Sequence, residues 1–419
     1  MTKKKPRKRT GSGKPVNTFE PKEKPALDLA IRLMGIRGGP GNEGEVAEFI
    51  TRKLRQAGAP PSMIQSDQAN LRTPIKGQVR NLIVKLPGTI RGPRRLLMAH
   101  MDTVLLCVGA KPVLKKNFVR AADPKTALGA DDRAGCAVLL NTAIALLKNR
   151  LPHPPLTFLW TIQEEPGLHG VRNLRLGMLG KPKLAFNFDG GGPEKLTIGA
   201  TGGYRMLIEI EGIASHAGGA PDEGVSAIAI AALAIADLHQ KGWHGKIRKG
   251  HRSGTSNVGV IEGGEATNVV TDFVRIKAEA RSHDAVFRRQ IVSKIEKTFK
   301  RAARSVRNID GACGKVRFSG RLDYESFKLS AEEPCVLEAK SAVKELGGKP
   351  LLAISDGGLD ANWMVAHGIP TVSLGCGQRN IHTVKEQLDV AAFQRACRIA
   401  ARLALGQLGK QSTFITSID

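Results

Sequence analysis

The sequence predicts an α/β protein in which a mostly parallel, mixed sheet flanked by helices is interrupted by a smaller α+β domain. Short apolar strand patterns alternate with helical patterns up to about residue 200 and again after residue 326, which is typical of a parallel sheet covered by helices. Between these regions the patterns follow the order β-α-β-β-α-β of a ferredoxin-like domain. We therefore expect a basic tail over residues 1–24, a main domain over 25–200 and 326–419, and an inserted domain over 201–325.

Each element of the first region has its own local signal. Apolar residues recur with helical spacing over residues 26–36 and 45–58, and the run of small and apolar residues over 131–150 predicts a third helix. Three apolar runs predict buried strands, and each of them ends in polar residues or glycine. They are RRLLMAHMDTV (94–104), LTFLWTIQEE (156–165) and KLAFNFDGGG (183–192), and NLIVKLPG (81–88) is a further strand that Pro and Gly close.

The inserted region and the last region are predicted in the same way. In the insertion we expect strands over 202–212, 255–264, 270–282 and 314–324, with helices over 226–242 and 284–306. The last region continues with a helix over 335–348, a strand over 350–354, a helix over 359–368, a strand over 370–377 and a final helix over 389–409.

Composition excludes several classes of protein. No apolar stretch approaches the roughly 20 residues of a membrane span, and no apolar region follows the basic N-terminus as it would in a secretory signal. The six cysteines are scattered without pairing motifs, which indicates a reduced protein, so we expect a cytoplasmic location and cysteines that serve as small core residues. The net charge of +26 permits nucleic-acid contact through the basic tail, which we expect to be disordered, but only 4% of residues are aromatic, so we favour a solvated basic surface.

The residues of chemical interest follow the predicted strands. Ligands of open α/β sheets bind at the carboxyl ends of the strands, so these side chains are expected to converge. A mixture of histidine and carboxylates suits zinc or a similar divalent metal, and a two-metal site suits hydrolysis. The candidates are His100 and Asp102 in the run 94–104, Glu164 and Glu165 at the end of the run 156–165, Asp189 in the run 183–192, and His382 beyond the strand that ends at 377.

Taken singly, each candidate has an ordinary explanation. His100 could be a satisfied core histidine, the two glutamates could belong to a solvated loop, and Asp189 before three glycines could be turn chemistry. Asp131 and Asp132 precede a helix, and either could be its N-cap; we assign the cap to Asp132 and the site to Asp131. The coincidence of all these residues in one consistent topology favours a functional site.

Nine segments carry a family resemblance over nearly the whole chain after residue 25. They are LLMAHMDTV, LGADDRAG, TIQEEPGLHG, NFDGGG, ASHAGGAPDEGVSAI, EGGEATNVV, EARSHD, SDGGLDANW and GIPTVSLGCG followed by HTVKEQL. In this order they resemble the superfamily of co-catalytic zinc peptidases and aminoacylases, which includes tripeptide aminopeptidase (peptidase T), glutamate carboxypeptidase and acetylornithine deacetylase. LGADDRAG and HAGGAPDEG are most similar to the peptidase T branch.

The resemblance implies a role for each candidate residue. The main domain would be the catalytic zinc domain, and the inserted domain would be a lid that also forms a dimer. Asp102 would orient His100, and Glu164 would be the general base that takes a proton from the attacking water and returns it to the leaving amine. A cis peptide bond would join Asp131 to Asp132. The metal ligands would be His100 and Asp189 for one zinc, Glu165 and His382 for the other, and Asp131 as the bridge.

The resemblance also implies substrate-binding residues. His216 would reach from the lid into the active site of the second subunit of a homodimer and stabilise the oxyanion. Asn268 and Arg281 would bind a substrate carboxylate. Asp360 and Asn362, in the segment SDGGLDAN, are expected to serve loop structure, and His283 is the remaining histidine to examine because it lies near Arg281.

The sequence thus predicts a two-zinc hydrolase, with cobalt or manganese as alternative metals, that acts as a di- or tripeptide aminopeptidase. Two departures from peptidase T leave its substrate open: Arg133 replaces the lysine after the paired aspartates, and SDGGLDAN differs from the corresponding segment. A deacylase or carboxypeptidase acting on N-acyl amino acids is the nearest alternative. A second alternative is an inactive binding protein with a basic nucleic-acid-binding surface, although the complete set of candidate ligands counts against it.

Overall fold

The computed structural model describes residues 20–406, so the predicted basic tail lies outside it except for its last residues, and the first helix begins at Glu23. The α-helices are α1 (Glu23–Met34), α2 (Gly44–Gln56), α3 (Ala130–Asn149), α4 (His169–Arg172), α5 (Ala227–Gln240), α6 (Ala285–Ser305), α7 (Pro334–Glu345), α8 (Ala361–Ala366) and α9 (Val390–Leu405). All the predicted helices are present, and their ends differ by a few residues; the predicted end of the last helix, at residue 409, lies outside the described residues.

The strands of residues 20–406 fall into three sheets. In chain order they are β1 (Ile64–Ser66), β2 (Leu82–Leu86), β3 (Arg95–His100), β4 (Pro112–Lys115), β5 (Phe118–Ala121), β6 (Leu156–Thr161), β7 (Leu184–Phe188), β8 (Lys195–Ala200), β9 (Gly202–Glu211), β10 (Gly245–Lys249), β11 (Arg252–Gly263), β12 (Phe273–Ser282), β13 (Lys315–Tyr324), β14 (Phe327–Lys328), β15 (Leu351–Ser355), β16 (Thr371–Leu374), β17 (Gln378–Arg379) and β18 (Gln387–Asp389). Strands β1, β8, β10 and β14 and the small sheet β17-β18-β5-β4 have no counterpart among the predicted elements.

The largest sheet is mixed, as predicted. Its order is β1-β2-β6-β3-β7-β16-β8-β14, with β15 paired beside β8. The central pairs β6–β3, β3–β7 and β7–β16 are parallel, whereas β16 and β8 run antiparallel. Because β6, β3 and β7 are parallel neighbours, their carboxyl ends meet at one edge of the sheet.

The core of the main sheet depends on the small residues of α3. From Ala134 to Leu140 every residue of this helix is buried, because α1 and α9 pack on its outer side and the sheet lies beneath it. Alanine, cysteine and glycine on such a helix let its neighbours approach closely, and close packing of this kind gives protein interiors the density of organic crystals. This packing fixes the start of α3, which lies beside the ends of β3 and β7.

The inserted region forms a separate antiparallel sheet of order β10-β11-β12-β9-β13, which α5 and α6 cover on one face. Without β10, the order β11-β12-β9-β13 with two helices is the ferredoxin-like arrangement that the sequence predicts. Its buried cluster, Met206 to Ala303, is separate from the main cluster, which contains Ala200 and Phe327 but no residue between them. We therefore propose that residues 201–325 are a domain, which we call the lid.

The lid joins the main domain at a point that Asn362 marks. The Asn362 amide nitrogen donates to the carbonyl oxygens of Thr201 (2.9 Å) and Glu325 (2.7 Å), the residues at which the chain enters and leaves the lid. Its side-chain oxygen accepts a hydrogen bond from the backbone of Leu359. Asn362 therefore has the structural role expected for it, and it links both crossings to the loop before α8.

Two expectations from composition can be examined over residues 20–406. In that part of the chain no helix combines the length and the apolar character that crossing a bilayer requires. The cysteines there are free thiols, and all are buried except Cys313, which is partly exposed. This agrees with their predicted role as small core residues.

Candidate functional site

Three strand ends bring the candidate side chains together. His100 is the last residue of β3, Asp189 follows β7 directly, and Glu164 and Glu165 come three and four residues after the end of β6. Since β3 lies between the other two strands, the four side chains share one edge of the sheet. The fold therefore provides the convergence that the sequence predicts.

Two groups of potential metal ligands meet at Asp131. The ligand atoms of His100, Asp131 and Asp189 lie within 4.8 Å of one another, and so do those of Asp131, Glu165 and His382. The Asp131 oxygens divide between the groups: Oδ1 is 3.5 Å from His100 Nε2, and Oδ2 is 3.3 Å from His382 Nε2. His382 Nε2 also lies 3.1 Å from Glu165 Oε2. A residue shared in this way has the position of a bridging ligand.

The charge balance of these groups is compatible with bound cations. Burial raises the pKa of Asp189 to about 7 and also raises the pKa of Glu165. The nearby carboxylate of Asp131 adds to both shifts. Hydrogen bonds to Asp131 and Glu165 raise the pKa of His382 to about 10. Asp131 Oδ1 and Glu165 Oε1 are buried without hydrogen-bond partners. Since buried acceptors rarely lack a partner, the donor set and these two oxygens fit divalent metal ions.

Asp102 touches both His100 and the glutamate pair. Its Oδ1 is 3.4 Å from His100 Nδ1, and its backbone oxygen is 3.1 Å from the same nitrogen. An Nδ1 proton held there leaves His100 Nε2, which faces Asp131, free to bind a metal. The Asp102 carboxylate also accepts hydrogen bonds from the amides of Glu164 (2.9 Å) and Glu165 (3.1 Å). The second contact was not foreseen from the sequence.

The start of α3 is held by two other carboxylates. Asp132 Oδ1 accepts from the Gly135 amide (3.1 Å), which is the capping geometry expected for it, and its Oδ2 accepts from the amide of His100 (3.2 Å). Glu386 accepts from three backbone amides, those of Leu128, Gly129 and Asp131, at 2.7–3.0 Å. The peptide bond between Asp131 and Asp132 is cis, as the resemblance implied.

The two groups open into a cavity of about 620 Å³ between the main sheet and the lid. Glu164 lines this cavity but belongs to neither ligand group. Burial, reinforced by Asp189 and Glu165, raises the pKa of Glu164 well above its ordinary value, although His100 opposes the shift. A carboxyl group of this kind beside a metal site can exchange protons with a reacting molecule.

Cationic side chains also line the cavity. Arg205 forms an ion pair with the buried Asp323, and Arg281 pairs with Glu279 through its Nε (2.9 Å) and Nη2 (3.0 Å) atoms. Lys195, from the start of β8, is a third lining cation, and no ion pair joins it to any other residue of 20–406. The cavity therefore has a carboxylate-rich end at the ligand groups and basic side chains elsewhere in its lining.

His216 and Asn268 do not line this cavity. Both are exposed on the lid, where the Asn268 carbonyl accepts a hydrogen bond from the amide of Ala217. His216 Nδ1 accepts from the amides of Gly218 (3.1 Å) and Gly219 (2.9 Å). In the neutral ring the proton is therefore on Nε2, which makes that atom a hydrogen-bond donor.

Some residues that shape the site were not found from the sequence. Glu43 accepts from the amide of Gln163 (3.0 Å), and Glu386 holds the loop before Asp131. Asp360, expected to serve only loop structure, also accepts a 2.5 Å hydrogen bond from the Thr161 hydroxyl and lies near Glu164. Glu386 falls within HTVKEQL, so the resemblance offered a signal for it, whereas Glu43 had none. His283 lies outside both ligand groups, and its Nε2 is 3.1 Å from the Asp356 carboxylate across the lid boundary.

Comparison with known proteins shows the family of the chain. The model of the peptidase family M20/M25/M40 matches residues 96–406. Among solved structures, a tripeptidase from Staphylococcus aureus Mu50 has a TM-score of 0.81 and 30% identity, and the aminopeptidase PepT from Bacillus cereus ATCC 10987 has a TM-score of 0.77 and 32% identity; each alignment covers 92% of this chain and 98% of the other.

A curated relative with another activity is also similar. Carboxypeptidase G2 from Pseudomonas sp. (strain RS-16) is 29% identical, over 91% of this chain and 89% of the relative. The family match covers well over half of the chain. The chain therefore belongs to the peptidase family M20/M25/M40 and is a metallopeptidase of the peptidase T-like group.

Proposed function

We propose that this member of the peptidase family M20/M25/M40 is a two-zinc aminopeptidase that hydrolyses di- and tripeptides. The observation that carries the proposal is the position of Asp131 in both ligand groups while Glu164 lines the same cavity and belongs to neither. This arrangement provides ligands for two metals and a separate carboxylate for proton transfer. The tripeptidase and aminopeptidase PepT structures support the choice of short peptides as substrates.

The proposed ligands are His100 and Asp189 for one zinc, Glu165 and His382 for the other, and Asp131 for both. Two zinc ions bound there would polarise the scissile carbonyl group and lower the pKa of a water molecule to about 7. The site favours zinc because it combines two imidazoles with three carboxylates, although manganese and cobalt accept similar ligands.

Glu164 is the proposed general base. Its Oε2 lies 4.0 Å from His100 Nε2, within reach of the space between the ligand groups. It takes a proton from the attacking water and returns this proton to the leaving amine, because the C–N bond breaks only when the nitrogen is protonated. Asp102 assists by orienting His100 and by holding the Glu164 amide.

His216 is the proposed oxyanion donor, supplied by a second copy of the chain. His216 does not line the cavity of its own chain. The hydrogen bonds of its loop favour the tautomer with the proton on Nε2, which makes Nε2–H available as a donor. Exposed apolar side chains occur on the same part of the lid, on α5, on β11 and next to Asn268. They are Ile228, Leu233, Ile261 and Val269. An exposed apolar surface of this kind favours a two-fold dimer, in which His216 and Asn268 would complete the partner's site.

The free carboxylate of a short peptide is the proposed partner of the cationic lining. Arg281 keeps donors beyond those given to Glu279, and Lys195 has its ammonium group available. A peptide held at this end would present its first amide bond to Glu164 and the ligand groups. Such an arrangement limits substrate length, since the cavity has a volume of only about 620 Å³.

A substrate panel tests the proposal against its alternatives. Zinc-loaded protein is assayed with di- and tripeptides, N-acetyl and N-succinyl amino acids, and acyl-glutamates, while elemental analysis measures zinc per chain. The proposal requires two zinc ions per chain and preferential release of the N-terminal residue from short peptides. Preferential cleavage of the N-acyl compounds would support the deacylase or carboxypeptidase alternative. A metal-free protein without hydrolytic activity would support the binding-protein alternative, and a salt-dependent shift of DNA would test its basic surface.

A further inference from the structure

The chain segment that carries the glutamate pair is held by side chains. After β6 ends, the backbone amides of residues 162–165 each donate to a side-chain oxygen. The first donates to Asn81 (3.1 Å), the second to Glu43 (3.0 Å), and the third and fourth to the two oxygens of Asp102. Four consecutive amides are therefore fixed by three side chains from distant parts of the chain.

Glu43 is the unexpected member of this set. It immediately precedes α2, but its side chain makes no capping hydrogen bond to that helix. Its Oε1 accepts from the amides of Gly41 and Gln163, both at 3.0 Å, and its Oε2 is buried without a partner. Glu43 is fully buried. Glu43 therefore neither caps α2 nor faces solvent. Because burying a carboxyl group costs free energy unless it is fully hydrogen-bonded, some other role must explain an acid at this position.

The amide that Glu43 holds belongs to a residue in an unfavourable backbone conformation. Gln163 has a φ of +52°, in the left-handed region that residues other than glycine rarely adopt. Its side-chain nitrogen is fixed as well, through a 3.0 Å hydrogen bond to the carbonyl oxygen of Lys76. Such a conformation costs on the order of 1 kcal/mol or more and persists only where neighbours enforce it. Gln163 directly precedes Glu164 and Glu165, both of which line the cavity.

We propose that Glu43 is a positioning residue for the Glu164–Glu165 pair. By holding the amide of Gln163 it keeps the left-handed turn that directs one glutamate toward the reacting water and the other toward a metal. The inference rests on the proposed function for its effect on turnover, but its effect on metal binding can be measured separately. Glu43 lies before residue 96, where the family match begins, so the family model does not include this contact.

A second contact from the loop that contains Glu43 lies next to the acidic pair Asp131 and Asp132. Arg133, which follows Asp132, is buried and donates from Nη2 to the carbonyl oxygen of Gly38 (2.9 Å). An added side chain at Gly38 would lie 2.5 Å from that nitrogen. The loop that contains Gly38 and Glu43 therefore supports both acidic pairs from behind, away from the cavity.

Two substitutions of Glu43 separate positioning from charge. Glu43→Gln keeps an oxygen that can accept from both amides, and burial with the nearby Asp102 raises the pKa of Glu43 to about 7, so a neutral amide is a close replacement. Glu43→Leu has a similar volume and no acceptor. We expect the zinc-loaded Leu variant to lose about 10²-fold in kcat while KM stays within about threefold, because small displacements of catalytic groups have effects of that size. We expect the Gln variant to keep kcat within about threefold.

The same variants are examined by titration with zinc. Glu43→Leu should weaken one of the two sites, the one that includes Glu165, and leave the other near its wild-type affinity. The control is Glu45→Leu, which alters an exposed acid two residues along in α2 and should change neither kcat nor zinc binding. Adding Gln163→Gly to Glu43→Leu should restore part of kcat, because glycine adopts the left-handed conformation without strain.

Three results would overturn the proposal. One is a Leu variant that melts at a lower temperature but retains wild-type kcat and both zinc affinities, since Glu43 would then be structural only. Another is a Gln variant as impaired as the Leu variant, which would assign the effect to charge. The third is the absence of any recovery with Gln163→Gly. If the wild-type protein hydrolyses no short peptide, the proposed function fails, whereas the zinc titration still tests the role of Glu43.

Discussion

The carboxylate of Asp102 holds the backbone of Glu164, with its Oδ1 2.9 Å from the amide nitrogen of that residue. The same Oδ1 lies 3.4 Å from His100 Nδ1, so one side chain connects a proposed metal ligand to the proposed general base. A change in the position of His100 is therefore expected to change the position of Glu164, and the reverse. We therefore propose that Asp102 couples these two groups in addition to orienting His100.

Replacement of Glu164 by alanine should abolish turnover and keep the metals. Glu164 is proposed as a base, so its loss should lower kcat by about 10²- to 10⁴-fold while elemental analysis still finds two zinc ions per chain. Glu165→Ala is the matched variant, and it should lose one zinc. If the Glu164 variant lost a zinc and the Glu165 variant kept both, the two assignments would be reversed.

Asp102→Ala should weaken metal binding although Asp102 is not a proposed ligand. The variant loses the support of His100 and the acceptors of two amides, and removing such supporting groups typically costs about 10- to 100-fold in metal affinity. Competition with a chelator measures this loss. Asp310→Ala, an exposed acid on the lid, serves as the control. Unchanged zinc affinity in Asp102→Ala would refute the coupling described above.

Mixing two inactive variants tests the shared site. His216→Ala and Glu164→Ala subunits are combined under conditions that allow exchange. In a mixed dimer one site has Glu164 from its own chain and His216 from its partner, so activity should return to about a quarter of the wild-type value at equal mixing, by random assortment of sites. Demonstrated exchange without any return of activity would mean that His216 serves only its own loop.

Lys195→Ala should weaken the binding of peptides that have a free carboxylate. Loss of one charge-assisted hydrogen bond of about 1.5 kcal/mol should raise KM about tenfold for a tripeptide and change kcat little. The KM of the amidated tripeptide should not change, because it lacks the charge. Lys349→Ala is the control, since Lys349 lines a neighbouring cavity but not this one. If Lys195 recognises an acidic side chain instead, Lys195→Ala will raise the KM of amidated peptides that carry that side chain.

His169 should make the protein less stable in mild acid. Burial, with Arg321 nearby, lowers the pKa of this histidine from 6.5 to about 4, and the residue is 3% exposed. The unfolded chain therefore takes up a proton at a higher pH than the folded chain. The stabilisation is complete above pH 6.5 and is lost as pH falls from 6.5 toward 4.

By linkage, about 2 kcal/mol of the decrease in the free energy of unfolding between pH 7.5 and pH 5 should come from His169. Urea unfolding of wild-type protein and His169→Gln at both pH values measures it. The variant should have the smaller decrease. Equal decreases in the two proteins would show that the imidazole remains accessible to protons when folded.

The sequence predicted what depends on local pattern. His100, Asp189 and the glutamate pair were found because each follows an apolar run, and the ends of parallel strands converge wherever such runs form a sheet. The order of elements in the lid was found for the same reason. Strand β10, by contrast, carries four charged or glycine residues in five, so its sequence resembles a solvated loop.

Long-range contacts could not be found in this way. Glu43 sits in a glycine-rich segment before a helix, where an acid is ordinary, and its hydrogen bond reaches a residue 120 positions away. Gln163 gives no sign in the sequence of a left-handed conformation, because glutamine is unremarkable there. His216 and Asn268 were assigned through the resemblance, and the cavity of a single chain excludes them, so their role depends on an assembly that a test of subunit exchange can examine.

The position of β16 has a consequence for how the chain folds. This strand is the last to be synthesised in the main sheet, yet it lies between β7 and β8. On the ribosome the lid strands, all complete by residue 324, can pair with one another early, whereas the main sheet must keep a gap open until residues 371–374 emerge. Because non-local pairing of this kind is slow, we expect the edges of β7 and β8 to stay unpaired in the nascent chain until that gap closes.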